Sequence, residues 1–217
     1  SRGNYSEARR GFESINKRSD LHNEARFYIC HIDFADGKYA TVKSEAESIL
    51  KGSLPENMRL EMLRISGESN YHLGYYDNAV SLLKEYADNA DDAQRTALYA
   101  LGVSEFNTGN YSDAKNHLGQ VTLADDELAQ SAYLYVGQAY LHEENVKAAS
   151  MAFEKAYKMP YDREVKETAF YNYAIAQSQG GRTPFNSSVK LFQDFLNTFP
   201  SSQYADKVED YIINSYL

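Results

Sequence analysis

One arrangement of glycine, tyrosine, alanine and leucine recurs along this chain at nearly constant spacing. In HLGYYDNAVSLL, residues 72–83, a glycine is followed by a tyrosine two residues on, an alanine three residues later and a leucine four residues after that. NTGNYSDAKNHL, residues 107–118, repeats the arrangement. Exact copies and variants place the tyrosine position at residues 5, 39, 76, 111, 146 and 185, so the steps lie between 34 and 39 residues. A period in this range is typical of arrays built from pairs of helices.

A second helical pattern precedes each later copy. Apolar residues recur there at spacings of three and four, which indicates amphipathic helices. The five segments are residues 26–35, 62–73, 97–108, 131–143 and 168–179. A small residue stands midway along each: Cys30, Gly67, Gly102, Gly137 and Ala174. Because glycine inside a helix costs about 1 kcal/mol relative to alanine, these positions predict that a neighbouring helix approaches closely.

The residues at the ends of these segments predict turns and helix starts. We expect Ser53 to open a capping box, and Asp125 and Asp162 to cap the helices that follow them. Tyrosine is expected to fill the joint of two helices, alanine to allow their close approach, and leucine to fill the core. Each unit then stacks on its neighbours because it cannot bury its apolar face alone. Left-handed helix ends are expected at Gly37, Gly74 and Gly109.

Composition limits the classes of protein to which this chain can belong. Hydrophobic residues make up 43% of the 217 residues, enough for a substantial core, and the mean hydropathy is −0.60. No apolar run approaches the ~20 residues of a membrane helix. The net charge of −9 opposes phosphate backbones, so we expect no nucleic-acid partner. A single cysteine, Cys30, excludes an internal disulfide, and we expect it to pack in the core rather than react.

The repeated pattern resembles the tetratricopeptide repeat family over nearly the whole chain. This resemblance implies an all-α, right-handed superhelical solenoid of helix-turn-helix repeats. We expect residues 1–217 to form a single array of about five helical pairs, with incomplete units at both ends, cut from a longer protein. Asp33 and Glu105 depart from the family because they stand where a tyrosine is common, and residues 180–184 lengthen the fifth turn. The residues that match best are Tyr133, Val136, Gly137, Tyr140, Ala149, Phe153, Ala156 and a terminal proline at 160.

A second resemblance concerns the compartment. FPSSQYAD, residues 199–206, follows FQDFLNT, residues 192–198, and is similar to the repeat joints of bacterial cell-envelope proteins. Those proteins include outer-membrane assembly lipoproteins of the BamD type and periplasmic proteins associated with the Tol–Pal system. The resemblance favours the bacterial periplasm or outer-membrane periphery over the cytoplasm.

The sequence shows no arrangement typical of catalysis, metal binding or cofactor binding. None of the five histidines lies in a His-Glu-x-x-His motif. Residues 33–37 do not form a calcium loop, because Lys43 takes the place of its terminal ligand. His72 and His142 occupy the same place in two units, too far apart for one metal ion, and are expected to be solvated or to line a groove. We therefore expect a protein that is not an enzyme and holds no cofactor or metal.

Family members usually bind partners through the concave face, which the first helix of each unit lines. Positions that project away from the buried stripe are rich in aromatic residues, and such side chains suit peptide binding. An alternative is that several of them pack between neighbouring units. The candidate groove residues are Phe27, His31, Phe34, Arg64, Glu68, Tyr71, Tyr99, Val103, Phe106, Leu134, Gln138, Leu141, Tyr171 and Ile175.

The resemblance implies a non-catalytic scaffold that binds a peptide or a partner protein, in the cell envelope. The alternative is a cytosolic scaffold or regulatory sensor attached to an output domain outside this chain. Chaperone-binding family members hold an acidic C-terminus with several cations, but Arg64 is the only cation near this surface, so that clamp is not expected. Residues 204–217 present an apolar face for self-association, formed by Tyr211, Ile212, Ile213, Tyr216 and Leu217.

Overall fold

The computed structural model describes residues 2–15, 17, 19, 21–179 and 185–215. These residues form twelve α-helices, and no strand occurs within them. The expectation of an all-α fold is confirmed. The chain divides into two compact units, residues 1–109 and 110–217, each described here by itself. The single array over residues 1–217 stays a prediction, and the insertion at residues 180–184 lies outside the described residues.

The first unit contains five long helices after a short N-terminal one. The predicted first helices end where expected to within a residue, but they begin earlier, because their first turns carry polar residues that apolar periodicity does not mark. The helices are α1 (Arg2–Glu13), α2 (His22–Ala35), α3 (Tyr39–Lys51), α4 (Glu56–His72), α5 (Tyr76–Asn89) and α6 (Arg95–Asn107).

Two apolar clusters form the core of the first unit. The first joins α2, α3 and α4 and consists of Phe27, Cys30, Val42, Ala46, Ile49, Met62 and Ile65. The second joins α4, α5 and α6 and consists of Leu63, Ala79, Leu83, Tyr86, Ala97, Ala100 and Leu101. Because α4 contributes to both clusters, its residues 62–70 are all buried.

The second unit has its own core at its C-terminal end. The helices are α7 (Tyr111–Val121), α8 (Glu127–His142), α9 (Val146–Lys158), α10 (Arg163–Gln179), α11 (Phe185–Thr198) and α12 (Ala205–Ser215). The core cluster that joins α10, α11 and α12 consists of Phe170, Ala174, Phe192, Phe195, Phe199 and Val208. The terminal helix leaves Tyr211 40% and Ile213 57% exposed. Self-association through this helix stays a prediction, and Tyr216 and Leu217 lie outside the described residues.

The repeated arrangement occupies the positions for which the sequence predicted it. Tyr39, Tyr76 and Tyr111 open helices α3, α5 and α7. The alanine and leucine or phenylalanine positions are fully buried: Ala79, Leu83, Ala114, Leu118, Ala149 and Phe153 are each 0% exposed. The periodic residues therefore face the core.

Two of the mid-helix glycines are required by close helix packing. A Cβ atom built on Gly67 would lie 2.5 Å from Cγ of Leu83, and one built on Gly137 would lie 2.5 Å from Cε1 of Phe153. Both neighbours are fully buried core side chains. The prediction of close approach is confirmed at these two positions.

The turns between paired helices share one backbone conformation. Gly37, Gly74 and Gly109 have φ values of 73°, 77° and 83°, as the sequence predicted. Glu144 takes the same place after α8 with a φ of 59°, although it carries a side chain. The amide of the next residue, Asn145, donates to the carbonyl of Tyr140 at 2.8 Å, which closes the helix end.

We expect Glu144→Gly to raise the free energy of unfolding by up to about 1 kcal/mol. A left-handed conformation costs a residue with a Cβ about 1–2 kcal/mol, and the greater freedom of glycine in the unfolded chain offsets part of that gain. Urea unfolding followed by circular dichroism measures the change. The control Met151→Gly, at an exposed position in the interior of α9, should lower stability by about 1 kcal/mol. A loss of stability in Glu144→Gly would contradict the prediction.

The helix starts agree with the sequence only in part. Asp162 caps α10, because its Oδ1 accepts from the amides of Glu164 at 2.7 Å and Val165 at 3.0 Å. The predicted cap Asp125 is displaced by one residue, since Asp126 accepts from Ala129 N at 2.9 Å. The capping box at Ser53 is wrong. Helix α4 begins at Glu56 after Pro55, whose fixed φ already suits a helix start.

A helix that spans a membrane must be long and apolar. Among the described residues, no helix has both the length and the apolar character needed to cross a bilayer.

Candidate functional site

The predicted groove residues of the first unit fall into two groups. His31 is exposed, and the aromatic residues Phe34, Tyr71, Tyr99 and Phe106 are half-buried. The others are buried: Phe27 is 4% exposed, Val103 2%, and Arg64 and Glu68 7% each. Phe27 belongs to the core cluster around Cys30, so it packs against helices instead of lining a surface. Phe27 and Val103 therefore belong to the core and not to an accessible surface.

A charged network runs along one face of α4. Its residues stand at positions 61, 64 and 68, three and four residues apart, so their side chains share that face. The Arg64 guanidinium donates to both carboxylate oxygens of Glu61, at 2.8 and 2.5 Å, and to Oε1 of Glu68 at 2.8 Å. His31 from α2 lies 3.2 Å from Glu61, and Thr96 from α6 lies 3.5 Å from Glu68. The network thus ties three consecutive first helices together.

The pKa values of the two carboxyl groups in this network are shifted in opposite directions. Burial opposes the charge of Glu61, but hydrogen bonds from Arg64 and His31 outweigh burial and lower the pKa of Glu61 to about 2. Burial dominates at Glu68 and raises the pKa of that carboxyl above its usual value despite the contact with Arg64. The charge of Arg64 is therefore compensated inside the protein before any ligand arrives.

Aromatic residues lie on the same three helices as the charged network. The Arg64 guanidinium carbon lies 5.3 Å from the ring centroid of Phe34, within the range of a cation–π interaction. Tyr71 on α4 and Tyr99 on α6 meet edge to face, with centroids 6.3 Å apart and planes at 84°. We call Phe34, Tyr71 and Tyr99 with Arg64 the first-helix face of the first unit.

The predicted groove residues of the second unit are all half-buried. Leu134, Gln138 and Leu141 lie on α8. On α10, Tyr171 stacks on Tyr204 with centroids 4.3 Å apart and planes at 8°, so the residue that precedes α12 covers one side of its ring. Ile175 packs against the C-terminal core cluster, formed by Phe170, Ala174, Phe192, Phe195, Phe199 and Val208. The alternative of packing between units thus applies in part to Tyr171 and Ile175.

Two polar residues that the sequence reasoning did not single out have structural roles. Glu61 is the bidentate partner of Arg64, and its spacing of three residues on a helix was the signal that could have identified it. Gln130 is 0% exposed and forms hydrogen bonds to the segment after α9. No local sequence signal marks the role of Gln130, because its hydrogen-bond partners lie 26 to 32 residues further along the chain.

Cysteine and histidine take packing roles. Burial raises the pKa of the Cys30 thiol to about 12, and the residue is 2% exposed, which agrees with the predicted packing role. His72 stacks on Tyr39 and His142 on Tyr111, so these histidines make specific ring contacts instead of being simply solvated. Within the described ranges, no three histidine, cysteine or carboxylate side chains are placed to hold a metal ion.

The second-helix side of the first unit carries a separate cavity of about 500 Å³. It lies between α3 and α5 above α4, and its lining includes Lys43, Arg59, Asn70 and Glu85. Asn70 is 3% exposed, and its Oδ1 has no hydrogen-bond partner among the described residues. This cavity is a second surface on which a partner could act.

The sequence and the fold are similar to those of known proteins. Residues 99–163 match a family model described as tetratricopeptide repeat. A search of curated proteins gives no match. The MamA protein is 19% identical, with a TM-score of 0.67 over 84% of this chain and 94% of MamA. A tetratricopeptide repeat protein from Parabacteroides merdae ATCC 43184 is 14% identical, with a TM-score of 0.66 over 89% of this chain and 73% of its own.

A third similar structure contains the nearly identical TPR-like repeats of a putative kinesin light chain from Podosopora anserina. It is 15% identical to this chain, with a TM-score of 0.59 over 86% of this chain and 99% of its own. At such identities the likeness to solved structures concerns the fold alone. The chain therefore has the tetratricopeptide repeat solenoid fold, and its residues 99–163 match the tetratricopeptide repeat family model.

Proposed function

We propose that this protein is a non-catalytic scaffold that holds a segment of a partner protein against its first-helix face. The tetratricopeptide repeat fold supports a role in protein–protein interaction. One observation supports the choice of surface: α2, α4 and α6 carry half-buried aromatic rings, and one of these, Phe34, lies against a cation whose charge is already compensated. Such rings offer contact area at low entropic cost, and they are common anchors in peptide recognition.

The chemistry of the face defines the partner segment. Arg64 is held by Glu61 and Glu68, so a partner carboxylate would compete with two internal carboxylates for the same guanidinium. Recognition of an acidic C-terminus is therefore not proposed. The net charge of −9 and the half-buried rings of Tyr71 and Tyr99 favour a segment with apolar and basic side chains. The same charge argues against nucleic acid as the partner.

Selection of peptides from a random library, followed by affinity measurement, tests the proposed surface. We expect Tyr71→Ala/Tyr99→Ala to weaken binding of the selected peptides at least tenfold, because two of the three aromatic anchors on the face are removed. The control Leu123→Ala/Met151→Ala removes two apolar side chains that are 86% and 61% exposed elsewhere, and should change affinity less than twofold. Circular dichroism checks that both variants fold.

This experiment distinguishes binding at the first-helix face from binding at another surface. Peptides that bind the wild type and the tyrosine variant equally would contradict the proposal. The cavity beside Asn70 would then be the surface to examine next.

A location in the bacterial cell envelope is the second part of the proposal. It is supported by the resemblance of residues 199–206 to the repeat joints of envelope proteins. In the structure this segment makes a repeat joint: Phe199 is 4% exposed, and Ser202 Oγ accepts from Tyr204 N at 3.0 Å and donates to Glu167 at 2.6 Å. Fractionation of the source cells distinguishes the envelope from the cytosolic scaffold or sensor, which is the alternative.

A further inference from the structure

Stacked tyrosine–histidine pairs recur at the turns of the repeats. In the first unit, Tyr39 at the start of α3 stacks on His72 at the end of α4, with centroids 4.2 Å apart and planes at 13°. In the second unit, Tyr111 at the start of α7 stacks on His142 at the end of α8, with 4.3 Å and 7°. Each pair joins the turn tyrosine of one repeat to the last residue of the next first helix.

The repeat between these two lacks the second ring. Its turn tyrosine is Tyr76 at the start of α5, and the residue at the end of α6 is Asn107. Asn107 Nδ2 donates to the carbonyl of Val103 at 2.8 Å, so its side chain folds back on its own helix. Among the described residues, no aromatic or histidine ring contacts Tyr76. The ring of Tyr76 therefore lacks the stacked partner that Tyr39 and Tyr111 have.

A cavity of about 470 Å³ lies at this position. Tyr76 and Asn107 both line it, together with Gly74, Tyr75, Asp77, Asn78 and Thr108. Its size lies within the range of sites that enclose small ligands or single anchoring side chains. The cavity therefore stands where histidine fills the equivalent space in the neighbouring repeats.

The charges of the residues that line the cavity favour a cation. Outside the lining, Lys43 of α3 places its ammonium 4.3 Å from the ring centroid of Tyr75. Of the described residues that line it, Asp77 alone is charged, and Asp77 is exposed to solvent. Asn107 and Thr108 form the C-terminal end of α6, where the helix dipole places partial negative charge. The opposite charge at the start of α5 is offset by Asp77 in the first turn of that helix. A planar cation would satisfy both the open tyrosine ring and the carboxylate.

We propose that this cavity binds an arginine side chain of a partner protein, with its guanidinium stacked on Tyr76 and paired with Asp77. Arginine meets both requirements because its guanidinium is planar, stacks on aromatic rings and forms forked hydrogen bonds to carboxylates. Lysine has no plane to stack, and a neutral aromatic ring leaves Asp77 without a partner. This site lies at the turns and does not depend on the first-helix face.

Titration with short peptides, followed by amide chemical shifts, tests the site. The probe is acetyl-Gly-Arg-Gly-amide, and the comparison peptides carry lysine or phenylalanine in place of arginine. We expect saturable shifts at the amides of residues 74–78, with at least fivefold tighter binding of the arginine peptide. Equal binding of the lysine peptide, or tighter binding of the phenylalanine peptide, would overturn the assignment to arginine.

Two variants connect the binding to the proposed residues. Asn107→His should place a ring on Tyr76, as His72 does on Tyr39, and abolish the peptide-induced shifts while the chain stays folded. Asp77→Asn keeps the cavity but removes its charge, and should weaken binding of the arginine peptide at least fivefold. Undiminished binding in either folded variant would contradict the proposal. Thermal unfolding confirms that each variant is folded.

Discussion

Replacing Gln130 with leucine is expected to lower the free energy of unfolding by about 3 kcal/mol. The side chain of Gln130 is fully buried on α8. Its Nε2 donates to the carbonyls of Ala156 at 3.0 Å and Met159 at 2.9 Å, and its Oε1 accepts from the amide of Asp162 at 2.7 Å. Leucine fills a similar volume but leaves the carbonyl of Met159 and the amide of Asp162 without the glutamine, and each such group costs about 1–3 kcal/mol. The carbonyl of Ala156 still accepts from the amide of Met159 at 3.3 Å.

Urea unfolding followed by circular dichroism measures the loss in Gln130→Leu. The control is Gln120→Leu on α7, where the glutamine is exposed and its hydrogen bond is a long one of 3.5 Å, and it should change stability by less than about 0.5 kcal/mol. Hydrogen exchange at the amide of Asp162 should also become faster in the Gln130 variant. A loss below about 1 kcal/mol would mean that water replaces the glutamine amide.

The sequence predicts the helix pairs well because their signals are local. The spacing of Ala79 and Leu83 reports which side of α5 faces the core, and Gly74 reports a left-handed turn that few other residues tolerate. Gln130 gives no such signal, since a buried glutamine and an exposed one look alike in a sequence. Its role depends on carbonyls brought close by the fold, and periodicity carries no information about them.

The candidate site was predictable to a lesser degree. The first helices pack against a neighbour on each side, so apolar residues on two faces of α2 and α6 follow similar spacings. Phe27 and Val103 were therefore assigned to a surface, whereas the structure buries both. Arg64 was expected as a cation of the groove, and the glutamates three residues before it and four after it change that role. The sequence shows the spacing of these three residues, but only the folded structure shows that Arg64 pairs with both glutamates.

Replacing Arg64 with methionine is expected to lower the free energy of unfolding by about 3 kcal/mol at pH 8, because it leaves two carboxylates partly or fully buried without their cation. Glu68 is 7% exposed and has Thr96 as its other contact, at 3.5 Å. The control Arg26→Met removes a pair with Glu45 that is more exposed, and it should cost less than about 1 kcal/mol. Adding Glu68→Gln to Arg64→Met should restore part of the loss, since a neutral amide tolerates burial better than a charge.

The deficit of Arg64→Met is expected to shrink as the pH falls from 8 to 5. In the wild type the lowered pKa of Glu61 contributes stability that is present above about pH 4.5 and lost as the pH falls toward 2. Without Arg64, only His31 opposes the effect of burial on Glu61 and only Thr96 opposes it on Glu68, so the pKa of each carboxyl is higher in the folded variant than in the wild type. The folded variant then takes up protons that the wild type does not bind, and each proton taken up reduces the difference between the two proteins. Urea unfolding of both proteins at pH 5, 6.5 and 8 measures this difference. A deficit that is independent of pH would mean that lost packing of the arginine stem, and not the uncompensated carboxylates, destabilises the variant.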